Sequence, residues 1–162
     1  MRGKLTCSLG SLVFIVLGIT SARASTPSGF REALAEFETG ATRPTLCAAD
    51  RFVGGHKEIS RFQILPAVWR KYSDSPKYQD PQIAWGVASR ILRDREQEFR
   101  QSARREWDYV DMYLLWNAPG QYRRARWDRS KVSRVVRERA QRFGNLMEEH
   151  VRVYNGPSLA RN

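Results

Sequence analysis

The sequence ALAEFETG at residues 33–40 is a short amphipathic segment that ends in a carboxylate and a glycine. Leu34 and Phe37 are three residues apart, so a helix places both on one apolar face. Gly40 suits the end of that helix. Glu38 then lies in the last turn, beside the apolar face and the negative end of the helix dipole, and both disfavour its charge. The pattern predicts a carboxylic acid that can donate a proton near neutral pH, with an ordinary solvated Glu as the alternative.

The composition around this segment is that of one folded domain. The chain has 162 residues, which supports a single core. Five Trp, seven Phe and six Tyr provide material for that core. Charged residues are mixed evenly with apolar ones, which excludes a disordered chain, and the sequence contains no internal repeat or low-complexity segment.

The N-terminus has the three parts of an export signal. Arg2 and Lys4 form a basic end, residues 5–20 are mainly apolar, and Ala-Arg-Ala at 22–24 is a small-x-small cleavage pattern. We predict a signal peptide at residues 1–24 that is cleaved after Ala24, which sends the protein to the periplasm or outside the cell. A retained membrane anchor is the alternative, but the apolar run is shorter than the roughly 20 residues that a spanning helix needs.

The predicted mature chain, residues 25–162, is strongly basic. Cleavage removes three basic residues and no acidic one, so the net charge falls from +11 to +8. Such a charge favours an anionic polymer as partner, namely cell wall, outer-membrane surface or nucleic acid, although solubility alone is the other explanation. Cys47 is the one cysteine left after cleavage, so no internal disulfide can form.

Hydrophobic periodicity and breaker residues predict a mostly α-helical domain. Residues 39–57 lack a sustained period and read as a long loop. Residues 58–66 read as a short extended segment or turn. The chain from residue 155 reads as a frayed tail. The predicted helices cover residues 30–38, with Ser28 as a cap, and residues 66–72, 81–102, 105–116 and 132–151.

Three motifs occur in a fixed order along the mature chain. They are Glu38-Thr39-Gly40, Ser60-Arg61-Phe62-Gln63-Ile64 and Trp116-Asn117-Ala118-Pro119-Gly120. Together they resemble the motifs of the lysozyme-like lytic transglycosylases, a family related to goose-type lysozymes. In that family Glu-Ser-Gly ends a helix and supplies the catalytic acid, Gly-Leu-Met-Gln lines the glycan cleft, and Ala-Tyr-Asn-Ala-Gly closes a later helix. The resemblance covers nearly the whole mature chain.

The resemblance implies a lysozyme-like helical domain with a short extended segment beside the active-site cleft. It also implies cleavage of the bond between N-acetylmuramic acid and N-acetylglucosamine in peptidoglycan. Glu38 would protonate the leaving oxygen and then act as base, with either water or the muramyl 6-hydroxyl as acceptor. The substrate's N-acetyl group can assist, so no second carboxylate, cofactor or metal is required. We expect a monomer that binds peptidoglycan strands, with no membrane span after signal cleavage.

Each candidate site residue has a functional and a structural interpretation. Glu58 is a possible second carboxylate, or else a loop charge paired to Arg61. The polar candidates either bind sugar groups or satisfy loop backbone, and the aromatic ones either stack on sugars or belong to the core. His56 and His150 lack partners at ligand spacing, so we expect no metal site. The predicted substrate-binding residues, beside the catalytic Glu38, are Ser60, Phe62, Gln63, Trp116 and Asn117.

The chain departs from the family pattern at several positions. Thr39 replaces the usual Ser, Ser60-Arg61-Phe62 replaces Gly-Leu-Met, Pro119 follows Ala118 where the family has Gly, and Arg139 lies where the family has Tyr. A catalytically inactive, exported, basic lysozyme-like module that binds cell wall or another anionic polymer is therefore the alternative function. Nucleic acid is not the expected partner, since the Arg-rich helices also carry Asp and Glu and the chain has an export signal.

Overall fold

The computed structural model describes Pro27, residues 29–41 and residues 46–155. The predicted signal peptide, the predicted Ser28 cap and the tail after Asn155 lie outside these residues. The side chains of Leu46, Cys47, Tyr154 and Asn155 lie outside them as well.

The described part of the chain is mostly helical, as the sequence predicts. No β-strand forms within it, and no helix there is long and apolar enough to cross a membrane. The helices are α1 Phe30–Thr39, α2 Leu46–Ala49, α3 Pro66–Trp69, α4 Pro81–Ala103, α5 Tyr109–Asn117, α6 Pro119–Arg124 and α7 Arg134–Asn155, with a 3₁₀ turn at Arg129–Lys131.

Several predicted helix boundaries are wrong for identifiable local reasons. The helix predicted from residue 105 begins at Tyr109, because the Asp108 side chain accepts from the Asp111 backbone N–H and the Asp111 side chain accepts from that of Asp108. Pro119 stops α5 as predicted, but it also starts α6, which the sequence analysis missed. The long loop contains the short helix α2, and α3 ends at Trp69 rather than residue 72.

The segment predicted to be extended or a turn is a tight turn closed by one antiparallel bridge. Ile59 and Ile64 exchange two backbone hydrogen bonds of 2.9 Å. Between them, Ser60 and Gln63 take left-handed backbone angles, with φ of 64° and 49°. Because these angles reverse the chain at once, the extended pairing cannot continue beyond the bridge, so the expected β segment is limited to it.

Helix α5 lies at the centre of the core. Every side chain from Val110 to Trp116 is buried, which agrees with a helix that is apolar almost all round. It packs against α4, α6 and α7, and α7 packs in turn against α1. The two long helices and α1 therefore surround the helix that carries the third sequence motif.

Four aromatic rings connect α1, α5 and α7. Tyr113 on α5 stacks on Phe143 of α7 with 4.8 Å between ring centroids, and it meets Phe37 of α1 edge-on at 4.9 Å. Phe143 also meets Phe30 edge-on at 5.6 Å. Such edge-on and offset contacts are the favoured aromatic geometries. They hold α1 against the middle of α5 and α7.

A buried carboxylate anchors the N-terminal end of α5. Asp111 is fully buried and accepts hydrogen bonds from Arg105 at 2.6 and 2.9 Å, from Arg129 at 2.8 Å and from the Tyr122 hydroxyl at 2.5 Å. Although burial opposes its charge, the hydrogen bonds from Arg105, Arg129 and Tyr122 hold the pKa of Asp111 well below its usual range. This cluster ties α5 to the segments on both sides of it.

Candidate functional site

A cavity of about 580 Å³ brings together five of the predicted site residues. Its size lies in the range of small-ligand pockets in proteins, about 300–1,000 Å³. The predicted residues on its wall are Glu38, Glu58, Gln63, Trp116 and Asn117. The wall also includes residues that the sequence analysis did not single out as site residues, among them Phe52, Gly54, His56, Arg95 and Arg139.

Glu38 reaches the cavity because α1 ends immediately after it. Gly40 adopts a left-handed φ of 68°, and its N–H donates to Glu36 O at 2.7 Å. The Thr39 hydroxyl donates to Ala35 O at 2.6 Å, so the last turn is satisfied locally. The helix end predicted from the sequence is confirmed. The Glu38 side chain is left only 8% exposed, between the apolar face of α1 and the cavity.

Two side chains from other helices contact the Glu38 carboxyl group. The Tyr113 hydroxyl donates to Oε1 at 2.8 Å, and Arg139 Nη2 donates to Oε2 at 3.3 Å. Arg139 Nε also donates to the Tyr113 hydroxyl oxygen at 2.6 Å. The three groups thus form a closed triangle with one member each from α1, α5 and α7.

Burial raises the pKa of Glu38 above its ordinary value. The hydrogen bond from Tyr113 and the charge of Arg139 oppose that rise, and the negative charge of Glu58 adds to it. The direction agrees with the sequence-based expectation. Burial and the charge of Glu38 also raise the pKa of Tyr113, so its hydroxyl remains a proton donor to the carboxyl group at neutral pH.

The pKa of Glu58 is shifted in the opposite direction. Its side chain is 20% exposed and accepts from the His56 backbone N–H at 2.8 Å, with His56 Nδ1 at 3.3 Å. Although partial burial acts against it, the backbone N–H groups of Glu58 and His56 hold the pKa of Glu58 below its ordinary value. The predicted pairing with Arg61 is wrong, because Arg61 forms a two-bonded ion pair with Asp50 at 2.5 and 2.7 Å.

The cavity therefore contains two carboxyl groups with pKa values shifted apart. The pKa of Glu38 is raised by burial, and that of Glu58 is lowered by hydrogen bonds from backbone N–H groups. Pairs of carboxyl groups in such contrasting environments divide the roles of proton donor and negatively charged partner in acid–base chemistry on glycans. In general, a carboxyl group with a raised pKa is suited to donate a proton near neutral pH, and an ionised one is suited to stabilise positive charge.

Gln63 serves the turn and the cavity at the same time. Its side-chain nitrogen donates to Ser60 O at 2.9 Å and to Phe52 O at 3.4 Å. Its side-chain oxygen lies with Glu58 Oε2 against Gly54, so close that a Cβ on Gly54 would collide with both atoms. Gly54 is therefore the residue that lets these two polar groups approach the same stretch of wall.

Ser60 and Phe62, predicted to bind substrate, are instead buried beneath the turn. The Ser60 hydroxyl oxygen accepts from the Phe62 backbone N–H at 3.2 Å, which supports the left-handed backbone at Ser60. Phe62 is fully buried and its ring lies 5.6 Å from that of Trp85 on α4. The core interpretation of Phe62 therefore applies, because the tight turn directs its ring toward α4 and away from the cavity wall.

Trp116 and Asn117 line the cavity beside a residue that the sequence analysis missed. Arg95 on α4 donates from Nη1 to Leu115 O at 2.9 Å and to Trp116 O at 2.7 Å. Its guanidinium carbon lies 5.7 Å from the centre of the Trp116 ring. The available signal was spacing, since Arg95 follows the inward-facing Ile91 by four residues and thus shares its helical face.

Comparison of the chain with protein families, with curated proteins and with solved structures finds no match. Among the residues that the structure describes, no group of three or more His, Cys, Asp and Glu side chains is arranged to hold a metal ion.

Proposed function

We propose that this protein is an exported, lysozyme-like enzyme that cleaves the N-acetylmuramic acid–N-acetylglucosamine bond of peptidoglycan. Glu38 is the general acid that protonates the leaving oxygen and then the base that activates the acceptor. The acceptor is water in a muramidase and the muramyl 6-hydroxyl in a lytic transglycosylase. The observation that carries the proposal is the buried Glu38 carboxyl group, whose pKa is raised at the wall of a ligand-sized cavity.

The second motif supports the same proposal through its backbone. Ser60 stands where the family motif has Gly, and its φ of 64° is the left-handed conformation that glycine adopts most readily. Gln63 closes the same turn and reaches the cavity wall. The turn geometry thus accounts for a Gly-x-x-Gln pattern, with the Ser60 hydroxyl supplying a compensating hydrogen bond in this chain.

One observation favours the alternative, an inactive basic module that binds cell wall or another anionic polymer. Arg139 lies where the family has Tyr, and it forms an ion pair with Glu38. An adjacent guanidinium favours the ionised carboxylate, which cannot donate a proton. Burial outweighs this effect in the direction of the Glu38 pKa, which is why we place the enzyme first.

Mass analysis of the products released from purified sacculi tests the proposal. The full chain should release muropeptides, whose mass distinguishes a hydrated from a 1,6-anhydro end. Glu38→Gln keeps the shape of the side chain but cannot deliver a proton, so we expect the rate to fall about 10²–10⁴-fold. Glu148→Gln is the matched control, because Glu148 is an exposed carboxylate on α7. We expect its rate to be unchanged.

The same assay separates the two functions. If sacculi bind the unmodified protein but release no muropeptides between pH 4 and pH 8, the enzyme is ruled out and the binding module remains. In that case binding should weaken as salt rises, because the surface attraction of a basic protein is screened. If Glu58→Gln abolishes release while Glu38→Gln does not, the acid is Glu58 and our assignment is reversed.

A further inference from the structure

Arg95 is a cation at the cavity wall whose charge no carboxylate neutralises within the described residues. The other charged residues of the cavity wall form described ion pairs with one another: Arg139 pairs with Glu38, and His56 pairs with Glu58. Arg95 forms no such pair with any residue that the structure describes. A largely buried charge without a counterion is costly, so its presence calls for an explanation.

Two acidic side chains that could pair with Arg95 have other partners. Glu98 acts on Arg95 electrostatically but binds Arg123 through two hydrogen bonds of 2.5 Å. Asp94, the residue before Arg95, hydrogen-bonds Tyr72. Burial lowers the pKa of Arg95, and the like charge of Arg123 adds to this effect, while Tyr72 and Glu98 act against it.

The guanidinium is fixed in place while part of it stays open. Nη1 donates to two carbonyl oxygens at the end of α5, and the ring of Trp116 lies beside the guanidinium plane. In the described chain, the one buried side-chain nitrogen without a partner is His150 Nδ1. Nε and Nη2 of Arg95 have no hydrogen-bond partner among the described residues, yet neither is a buried nitrogen without a partner, so their N–H groups reach solvent. Arg95 is also part of the cavity wall. A fork of this kind matches a carboxylate, which accepts two parallel hydrogen bonds.

We propose that Arg95 binds a carboxylate group carried by the glycan that occupies this cavity. This inference rests on the proposed function, since it names the chemistry of the same ligand. Peptidoglycan offers carboxylates from two sources, the lactyl group of muramic acid where the peptide stem has been removed and the free carboxyl groups of the stem where it is present. Arg95 selects anionic strands over neutral ones, a task that Glu38 and Glu58 cannot perform because neither carries a positive charge.

Binding to the full chain carrying Glu38→Gln, which prevents turnover, tests the inference by calorimetry. The ligands are short glycan strands with stems intact, strands freed of stems so that the lactyl carboxylate is exposed, the amidated form of each, and a neutral N-acetylglucosamine oligomer of equal length. We expect a carboxylate-bearing strand to bind at least about 10-fold more tightly than its amidated form, since a hydrogen bond between two charged groups is stronger than one to a neutral amide. The strand type that shows the difference identifies the source.

Variants at Arg95 locate the effect. Arg95→Gln, combined with Glu38→Gln, should remove the difference between carboxylate and amide, while Arg95→Lys should keep part of it. Arg93→Gln is the matched control, because Arg93 is exposed on the same helix and its loss changes the net charge equally. Repeating the titrations at high salt removes general surface attraction, which is screened, and leaves a paired contact in the cavity. If Arg95→Gln does not fold, the comparison of carboxylate and amide with Arg95 in place still decides.

The outcomes separate the two proposals. Equal affinity for carboxylate-bearing and amidated strands, with firm binding of both, overturns the role of Arg95 and leaves the proposed function standing. A difference that persists in Arg95→Gln also overturns it. Failure of every strand and of the neutral oligomer to bind overturns the proposed function, and the inference with it.

Discussion

Asp111→Asn should destabilise the protein more than any surface substitution, because it removes the charge that two arginines and a tyrosine surround. The side chain is fully buried, and Asn would turn an amide N–H₂ group toward donors. Removing one partner of a buried ion pair costs about 3–5 kcal/mol. Arg105 and Arg129 keep 42% and 30% of their side chains exposed, so water can solvate part of the charge left behind. We therefore expect a loss near the lower end, about 3 kcal/mol, or roughly 10 °C in Tm for a domain of this size.

Thermal unfolding followed by circular dichroism between pH 3 and pH 8 measures this loss. The folded-state pKa of Asp111 lies below its unfolded-state value, so its charge stabilises the fold above the ordinary Asp pKa of about 4. The gap in Tm between the unmodified chain and Asp111→Asn should be constant from pH 8 to about pH 5 and narrow as pH falls below about 4.

Two further variants make the measurement specific. Tyr122→Phe removes one donor and leaves both guanidinium groups, so we expect a loss of about 1 kcal/mol. Asp74→Asn changes an exposed carboxylate in the loop before α4 and should stay within about 0.5 kcal/mol of the unmodified chain. A loss below about 1 kcal/mol for Asp111→Asn, or a gap that does not narrow at pH 3, would refute the reasoning.

Three other substitutions test the site. Arg139→Gln should raise the pKa of Glu38 further, because it removes the cation that opposes the effect of burial. Carbon-13 NMR titration of labelled Glu measures this pKa, and an unchanged or lower pKa contradicts the prediction. Glu38→Gln should stabilise the fold, and by more at pH 8 than at pH 4. The reason is that a raised pKa makes the buried charge of Glu38 unfavourable at any pH above the ordinary Glu pKa. Melting curves that show the reverse trend would disprove this. Gly54→Ala should weaken glycan binding with little loss of stability, because the added methyl group displaces only the flexible ends of two side chains. In the same calorimetric titration Gly55→Ala should bind as before, because its methyl group meets nothing within 4 Å.

Local signals in the sequence were sufficient to predict where α1 ends. Apolar spacing, a carboxylate and a glycine within eight residues predict the helix end. The mostly helical class follows in the same way from periodicity. These features depend on neighbours in the chain, so the sequence contains the information directly.

Features that depend on contacts between distant parts of the chain could not be predicted from the sequence. Arg61 pairs with Asp50 and not with Glu58, because the loop folds back over the turn. Phe62 occupies the core because α4 presents Trp85 to it. Asp111 reads as one charge in an apolar run, and only the arrangement of α5 shows that arginines surround it. Which residues meet across the core is decided by packing, which the pattern of a single chain does not encode.

The two carboxyl clusters differ in how far along the chain their partners lie. Those of Asp111 are 6, 11 and 18 residues away, whereas Glu38 bonds to groups 75 and 101 residues away. Closing long loops is entropically unfavourable and slow, so short-range contacts around Asp111 can form early and the triangle at Glu38 forms late. Because synthesis makes α1 before α5 and α7, Glu38 acquires its surroundings only after Tyr113 and Arg139 have also been made.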